Sequence, residues 1–153
     1  YDRAIEESRK TLEIDPQWLY AHVVLGMSCV EMGRFDEGIR AVETAAQIDQ
    51  RSPLILGFLG MAYGRSGRLR EAKRLLSELQ DISEKAYVSP FSFAKIYLGL
   101  GEIDRYLDLV DKMIEDRASQ ILALIVNSLL PDSVRSSPRY HALLRKMNLE
   151  PGE

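Results

Sequence analysis

Apolar side chains recur along this 153-residue chain at helical spacing. Leu25, Cys29 and Met32 lie three and four residues apart, on one face of a helix. Ile39, Val42, Ala45 and Ala46 repeat that spacing after Gly33. Near the C-terminus Tyr140, Leu143, Leu144 and Met147 form one apolar stripe at i, i+3, i+4 and i+7. No segment alternates strictly in the period of a strand, so no sheet is expected. Gly33 suits a left-handed position that ends one helix before the next begins. Ser52-Pro53, Ser89-Pro90 and Ser137-Pro138 each read as an N-cap followed by a first-turn proline.

The helices come in phased pairs. Gly33, Gly67 and Gly101 are 34 residues apart, and each opens a matching phrase: Gly33-Arg34-Phe35-Asp36-Glu37-Gly38, Gly67-Arg68-Leu69-Arg70-Glu71-Ala72 and Gly101-Glu102-Ile103-Asp104-Arg105-Tyr106. The small residues Gly26, Gly60 and Ala94 keep the same step, and Cys29, Tyr63 and Tyr97 follow them by three. Ala4 falls one period before Gly38, so the chain opens on the second half of a unit. The opening Tyr1-Asp2-Arg3-Ala4 has no initiator Met or basic leader and reads as a piece of a longer polypeptide.

A helix-turn-helix period of 34 residues with these small and tyrosine anchors resembles the tetratricopeptide repeat. The resemblance covers residues 1–117. It implies an all-α, right-handed superhelix of about eight helices in a single domain. Residues 1–16 are the second helix of a truncated repeat, residues 19–52, 53–86 and 87–120 are full repeats, and 121–149 are a degenerate hairpin and a capping helix. His22, Leu56 and Pro90 stand where the family often has Trp, and Tyr106 replaces a small residue, so the third hairpin must pack differently. The phrases from Tyr87-Val88-Ser89-Pro90 to Leu143-Leu144 also resemble the C-terminal repeat arrays of multidomain bacterial regulators of cyclase, kinase or winged-helix type.

In tetratricopeptide arrays the first helix of each unit lines a concave, partner-binding groove. The resemblance therefore assigns a protein or peptide site to Tyr20, Val23, Met27 and Val30 of the first full unit. The second contributes Leu54, Gly57, Met61, Gly64 and Arg65, and the third Val88, Phe91, Lys95 and Leu98. The set is mostly apolar with two basic groups, which suits a segment with apolar anchors and an acidic group near Arg65 or Lys95. Val23, Met27 and Leu54 occupy positions where carboxylate-clamping members carry Lys and Asn, and cannot pair with a C-terminal carboxylate. Gly57, Gly60, Gly64 and Gly67 form a glycine seam. Each interior glycine costs roughly 1 kcal/mol of helix propensity against alanine. Close packing of neighbouring helices offsets that cost, or else Gly57 and Gly64 leave a flat floor for a partner backbone.

Composition narrows the chemistry. Net charge is −3, which argues against nucleic-acid binding by this domain. The longest apolar run, Ile121 to Leu130, is broken by Asn127 and Ser128 and falls short of the roughly 20 residues that span a membrane. Cys29 is the sole cysteine, so no internal disulfide forms and a buried small hydrophobe is its expected role. The cytoplasm is the expected compartment, with the periplasm left open. His22 and His141 stand apart from one another and from Cys29, so no metal site or other cofactor is expected. Gly60-Met61-Ala62-Tyr63-Gly64-Arg65-Ser66 lacks the spacing and lysine of a phosphate loop, and the acids Asp104, Asp108, Asp111 and Glu115 read as a solvated helix face. No catalytic constellation emerges, and the chain reads as non-enzymatic.

Charge is patchy. Residues 65–74 carry five bases and one acid, 102–117 six acids and three bases, and 135–146 four bases and no acid. These are solvated faces, or they orient a partner or a second copy head to tail. Two functions stand side by side: an interaction module that holds a protein or peptide in its groove, and a homodimerisation element that uses the N-terminal edge near Ile5 and Leu12.

Overall fold

The computed structural model describes residues 1–117 and 130–149. Among them are nine helices and no strand: α1 Asp2–Ile14, α2 Leu19–Glu31, α3 Phe35–Ile48, α4 Pro53–Arg65, α5 Leu69–Ser83, α6 Pro90–Leu100, α7 Ile103–Glu115, α8 Asp132–Arg135 and α9 Pro138–Lys146. The pairs α2/α3, α4/α5 and α6/α7 are hairpins, and each stacks on the next, as in a helical repeat. The expected run from Ile121 lies outside the described residues up to position 129.

The repeated glycines end the first helix of each hairpin. Gly33, Gly67 and Gly101 take φ of +75°, +80° and +74°, a left-handed backbone that favours glycine. Around Gly33 the Arg34 amide donates to the Cys29 carbonyl at 2.8 Å and the Gly33 amide to Val30 at 3.0 Å. The same pair recurs as Arg68 to Tyr63 with Gly67 to Gly64, and as Glu102 to Tyr97 with Gly101 to Leu98. Both closures together satisfy carbonyls that a helix end leaves open. The proline starts behave less uniformly. Ser89 and Ser137 accept from the amides of Phe91 and Tyr140, as caps do. Ser52 makes no cap bond and turns its hydroxyl to the Asp49 carboxylate instead.

One continuous core runs through the stack, from Val23, Met27 and Val30 through Ile55, Leu56 and Leu79 to Val110, Met113, Leu143 and Leu144. A small second cluster joins Ile5 of α1 to Leu25, Cys29 and Ala41. Ile5 is thus buried and Leu12 packs against the same cluster, so neither is an exposed dimerisation edge. Cys29 sits in that cluster as a small hydrophobe, and burial pushes its thiol pKa up. Tyr106 is buried at the repeat position that holds Gly38 and Ala72 in the other two hairpins, and burial likewise raises its hydroxyl pKa. The helix α9 lies on α7, and its Leu143 and Leu144 are buried.

Second helices of adjacent units are laced by ion pairs. Arg9 reaches Glu37 at 2.6 Å, Arg51 reaches Glu78 at 2.8 Å, Arg68 reaches Asp36 at 2.5 Å and Lys146 reaches Asp111 at 2.5 Å. Arg139 pairs with Asp108. Part of the basic tail and the acidic run of α7 therefore answer one another within the chain. Exposed pairs of this kind contribute about 0–1 kcal/mol each.

Candidate functional site

The glycine seam is a close helix–helix contact. A Cβ on Gly57 would lie 2.9 Å from Ser92 backbone, and one on Gly64 would lie 2.5 Å from the Gly99 carbonyl oxygen. Seen from the other side, a Cβ on Gly99 would meet Met61 backbone at 2.6 Å. The first helices α4 and α6 thus touch backbone to backbone, and dispersion along that line offsets the propensity cost of the glycines. Gly57 and Gly64 are covered by α6 and leave no flat floor for a partner. Gly67 lies outside the seam, at the helix end.

That contact draws most of the thirteen expected binding residues inward. Val23, Met27, Val30, Met61, Val88, Phe91 and Leu98 belong to the continuous core, and Lys95, Gly57 and Gly64 are buried with them. Tyr20 is exposed, and Leu54 and Arg65 are half-buried. Twelve of them lie on the first helices, and Val88 precedes the Ser89 cap of α6. The sequence pattern does not register that glycines in α4 let α6 close over them. Side chains one step round the same helices, Val24 and Phe58, remain exposed and half-buried and were missed. The wide apolar stripe of α2 and α4, on which nearly every turn is apolar, was the available signal.

Lys95 is the most unusual group here. It is 2% exposed. Its ammonium lies 5.2 Å from the centre of the Phe58 ring and 5.0 Å from that of Phe91, with the two rings edge to face. Such rings attract a cation through their negative faces. Burial, reinforced by the nearby Arg65 charge, pulls the Lys95 pKa down to about 8. Arg65 approaches Glu31 of α2 at 3.8 Å, and burial raises the Glu31 carboxyl pKa against that attraction.

Two further hollows lie elsewhere. A cavity of about 530 Å³ between α4, α5 and the α3–α4 turn is lined by Arg51, Leu59, Tyr63, Glu71, Arg74 and Glu78 among others. The Tyr63 hydroxyl donates to Glu43 at 2.7 Å; burial and that acid push its pKa up to about 12. A shallower notch of about 270 Å³ lies between α1 and α2, bordered by Ala4, Ser8, Trp18, Tyr20 and Val24. Trp18 and Tyr20 are 52% and 60% exposed, so this end carries the open aromatic surface that Ile5 and Leu12 do not. Among the described residues no three of His, Cys, Asp and Glu gather as metal ligands, and no helix is long and apolar enough to cross a membrane.

These features define an all-helical chain of stacked hairpins whose first helices carry the unusual side chains. No protein-family model matches it. Over 107 residues it is 24% identical to anaphase-promoting complex subunit 3 of Schizosaccharomyces pombe. The matching stretch is 70% of this chain and 16% of that protein, so the chain corresponds to a small part of that relative. Similarity and fold together fit a tetratricopeptide-like repeat.

Proposed function

We propose that this chain is a non-catalytic protein-interaction module that holds a peptide or protein segment along its first helices. The observation that carries the reading is the stack itself: three phased hairpins whose first helices lie side by side, with α4 and α6 in backbone contact. Stacked hairpins present an extended surface that one rigid element cannot. The relative is by name a subunit of a complex, which supports a role in holding partners. The reading includes a right-handed superhelix, a place in a larger bacterial regulatory protein inside the cell, and no role for nucleic acid, membrane or cofactor.

The binding surface is narrower than the thirteen residues suggest. Tyr20, Leu54 and Arg65 are its reachable members, with Val24 and Phe58 beside them. Met61 and Phe91 are core, so an acid at either breaks the fold before it tests a partner. Tyr20→Glu and Leu54→Glu are the proper probes, with partner capture read against a retained helical circular dichroism spectrum. Capture unchanged in both variants overturns the reading.

A second reading, self-association, is favoured by the exposed Trp18, Tyr20 and Val24 at the α1–α2 notch. Light scattering over a concentration series decides it. A dimer that Trp18→Ser dissolves supports this reading; a monomer throughout removes it.

A further inference from the structure

We propose that the first-helix surface takes a segment bearing an acidic side chain, and that Lys95 is the anchor for its carboxylate. The inference rests on the interaction reading above and names the chemistry of the partner.

The charge on Lys95 is unbalanced. Lys95 is 2% exposed, yet among the described residues no carboxylate lies within ion-pair distance of its ammonium. A buried ammonium is costly unless it is paired and hydrogen-bonded. The rings of Phe58 and Phe91 supply attraction but neither a counter-charge nor a hydrogen-bond acceptor. Arg65 adds a second positive charge and lowers the Lys95 pKa further. The one acid of this group, Glu31, lies beside Arg65 and is itself raised by burial.

The direction of approach follows from exposure. Phe91 is buried, whereas Phe58 and Arg65 are half-buried, and both lie on α4. A ligand group therefore reaches the ammonium past Phe58, on the side where Arg65 also stands. A carboxylate seated there receives a charge-assisted hydrogen bond from Lys95 in a medium that strengthens it.

The test is a panel of acetylated, amidated peptides in Asp/Asn and Glu/Gln pairs, with Kd measured by fluorescence anisotropy. The acidic member of a binding pair is expected to bind about tenfold more tightly or better. Lys95→Met is expected to abolish that preference while circular dichroism shows the helices retained. A preference that survives Lys95→Met overturns the inference, as does binding without acid preference, and both leave the interaction reading standing. An acid-free peptide with a free C-terminus that binds equally well overturns the side-chain assignment. A panel in which nothing binds overturns the inference and the interaction reading together. If Lys95→Met does not fold, side-chain NMR of Lys95 in the unaltered chain decides. Saturation with a bound acidic peptide must raise the Lys95 pKa, and an unmoved pKa overturns the inference.

Discussion

The first and second hairpins place small residues at the same repeat position and use them differently. Gly26 and Gly60 are one period apart. Gly26 faces its own hairpin partner α3, where an added Cβ would meet the Gly38 carbonyl oxygen at 2.8 Å. Gly60 faces the next hairpin instead, where an added Cβ would meet Ile96 Cγ1 at 2.6 Å. The close approach is therefore within the hairpin in the first unit and between hairpins in the second. A repeat conserves the backbone path; the neighbour that fills a small-residue gap is set by what stands opposite. Opposite Gly26 that is Gly38, and opposite Gly60 it is Ile96.

Replacing Gly64 by Ala should be the most damaging way to break the second seam. Its Cβ would press on Gly99 and Leu100 backbone, which has no rotamer to escape into. We expect a loss of roughly 3 kcal/mol or more, read as a fall in the urea midpoint. Gly60→Ala sharpens the point, because its Cβ meets the buried Ile96 side chain and no backbone, and helix propensity returns about 1 kcal/mol. Its net loss should be smaller than that of Gly64→Ala, about 1–2 kcal/mol. Equal losses in the two variants would mean that α4 and α6 do not touch backbone to backbone.

This contrast marks how far the sequence is legible. The helices, their caps and the hairpin phase follow from apolar spacing and from Gly33, Gly67 and Gly101, because those are local properties of the chain. The glycine seam was visible as a cost needing compensation, but two remedies were open. Which of them holds depends on the small or polar residues that α6 presents to α4, a tertiary fact. The same uncertainty carried into the site. Lys95 has the helical phase of an outward groove residue, and only the closure of α6 on α4 makes it a buried cation. The pairing of Arg139 and Lys146 with Asp108 and Asp111, about one period away, is likewise a tertiary fact that the charge pattern alone does not give.

Lys95 offers the next effect in size, because it sits where the tight seam meets the aromatic pair. Its pKa is about 8 in the fold against an ordinary 10.5. Between those values the unfolded chain holds a proton that the folded chain has released, so stability rises with pH across that window. Below about pH 8 the penalty of the buried charge is fully present, on the order of 3 kcal/mol. Melting curves from pH 7 to 10 should show the rise in the unaltered chain and not in Lys95→Met. Above pH 10 the raised tyrosines Tyr63 and Tyr106 act oppositely, because the fold then holds protons that the unfolded chain has lost. A flat profile from pH 8 to 10 would mean that Lys95 is solvated and that the seam is open at this point.

The helix-ending glycines provide the control, being the feature that does repeat faithfully. Around Gly33, Gly67 and Gly101 an added Cβ meets nothing within 4 Å, so only the left-handed backbone opposes it. Alanine at each should cost a similar amount, about 1 kcal/mol, in contrast to the divergent costs of Gly60 and Gly64. Unequal costs at the three caps, measured by denaturant midpoint, would place the difference between hairpins in their turns as well as in their seams.

The smallest effect concerns the other side of the same two units. Arg51 follows α3 with φ of +60° and forks onto both oxygens of Glu78, at 3.0 and 2.8 Å from its Nη2. The pair ties the end of the first hairpin to the second helix of the next, across from the glycine contact. Both side chains are partly exposed, so solvent and salt screen the attraction. Arg51→Ala leaves the left-handed backbone as it is and removes only the fork, and should cost about 0.5 kcal/mol. A double-mutant cycle with Glu78→Ala should give a coupling of that size that shrinks as salt is raised. A coupling above about 2 kcal/mol, or one indifferent to salt, would show that the two units are joined as firmly through this pair as through the glycines. The distinction drawn between a tight inner seam and a loosely laced outer face would then fail.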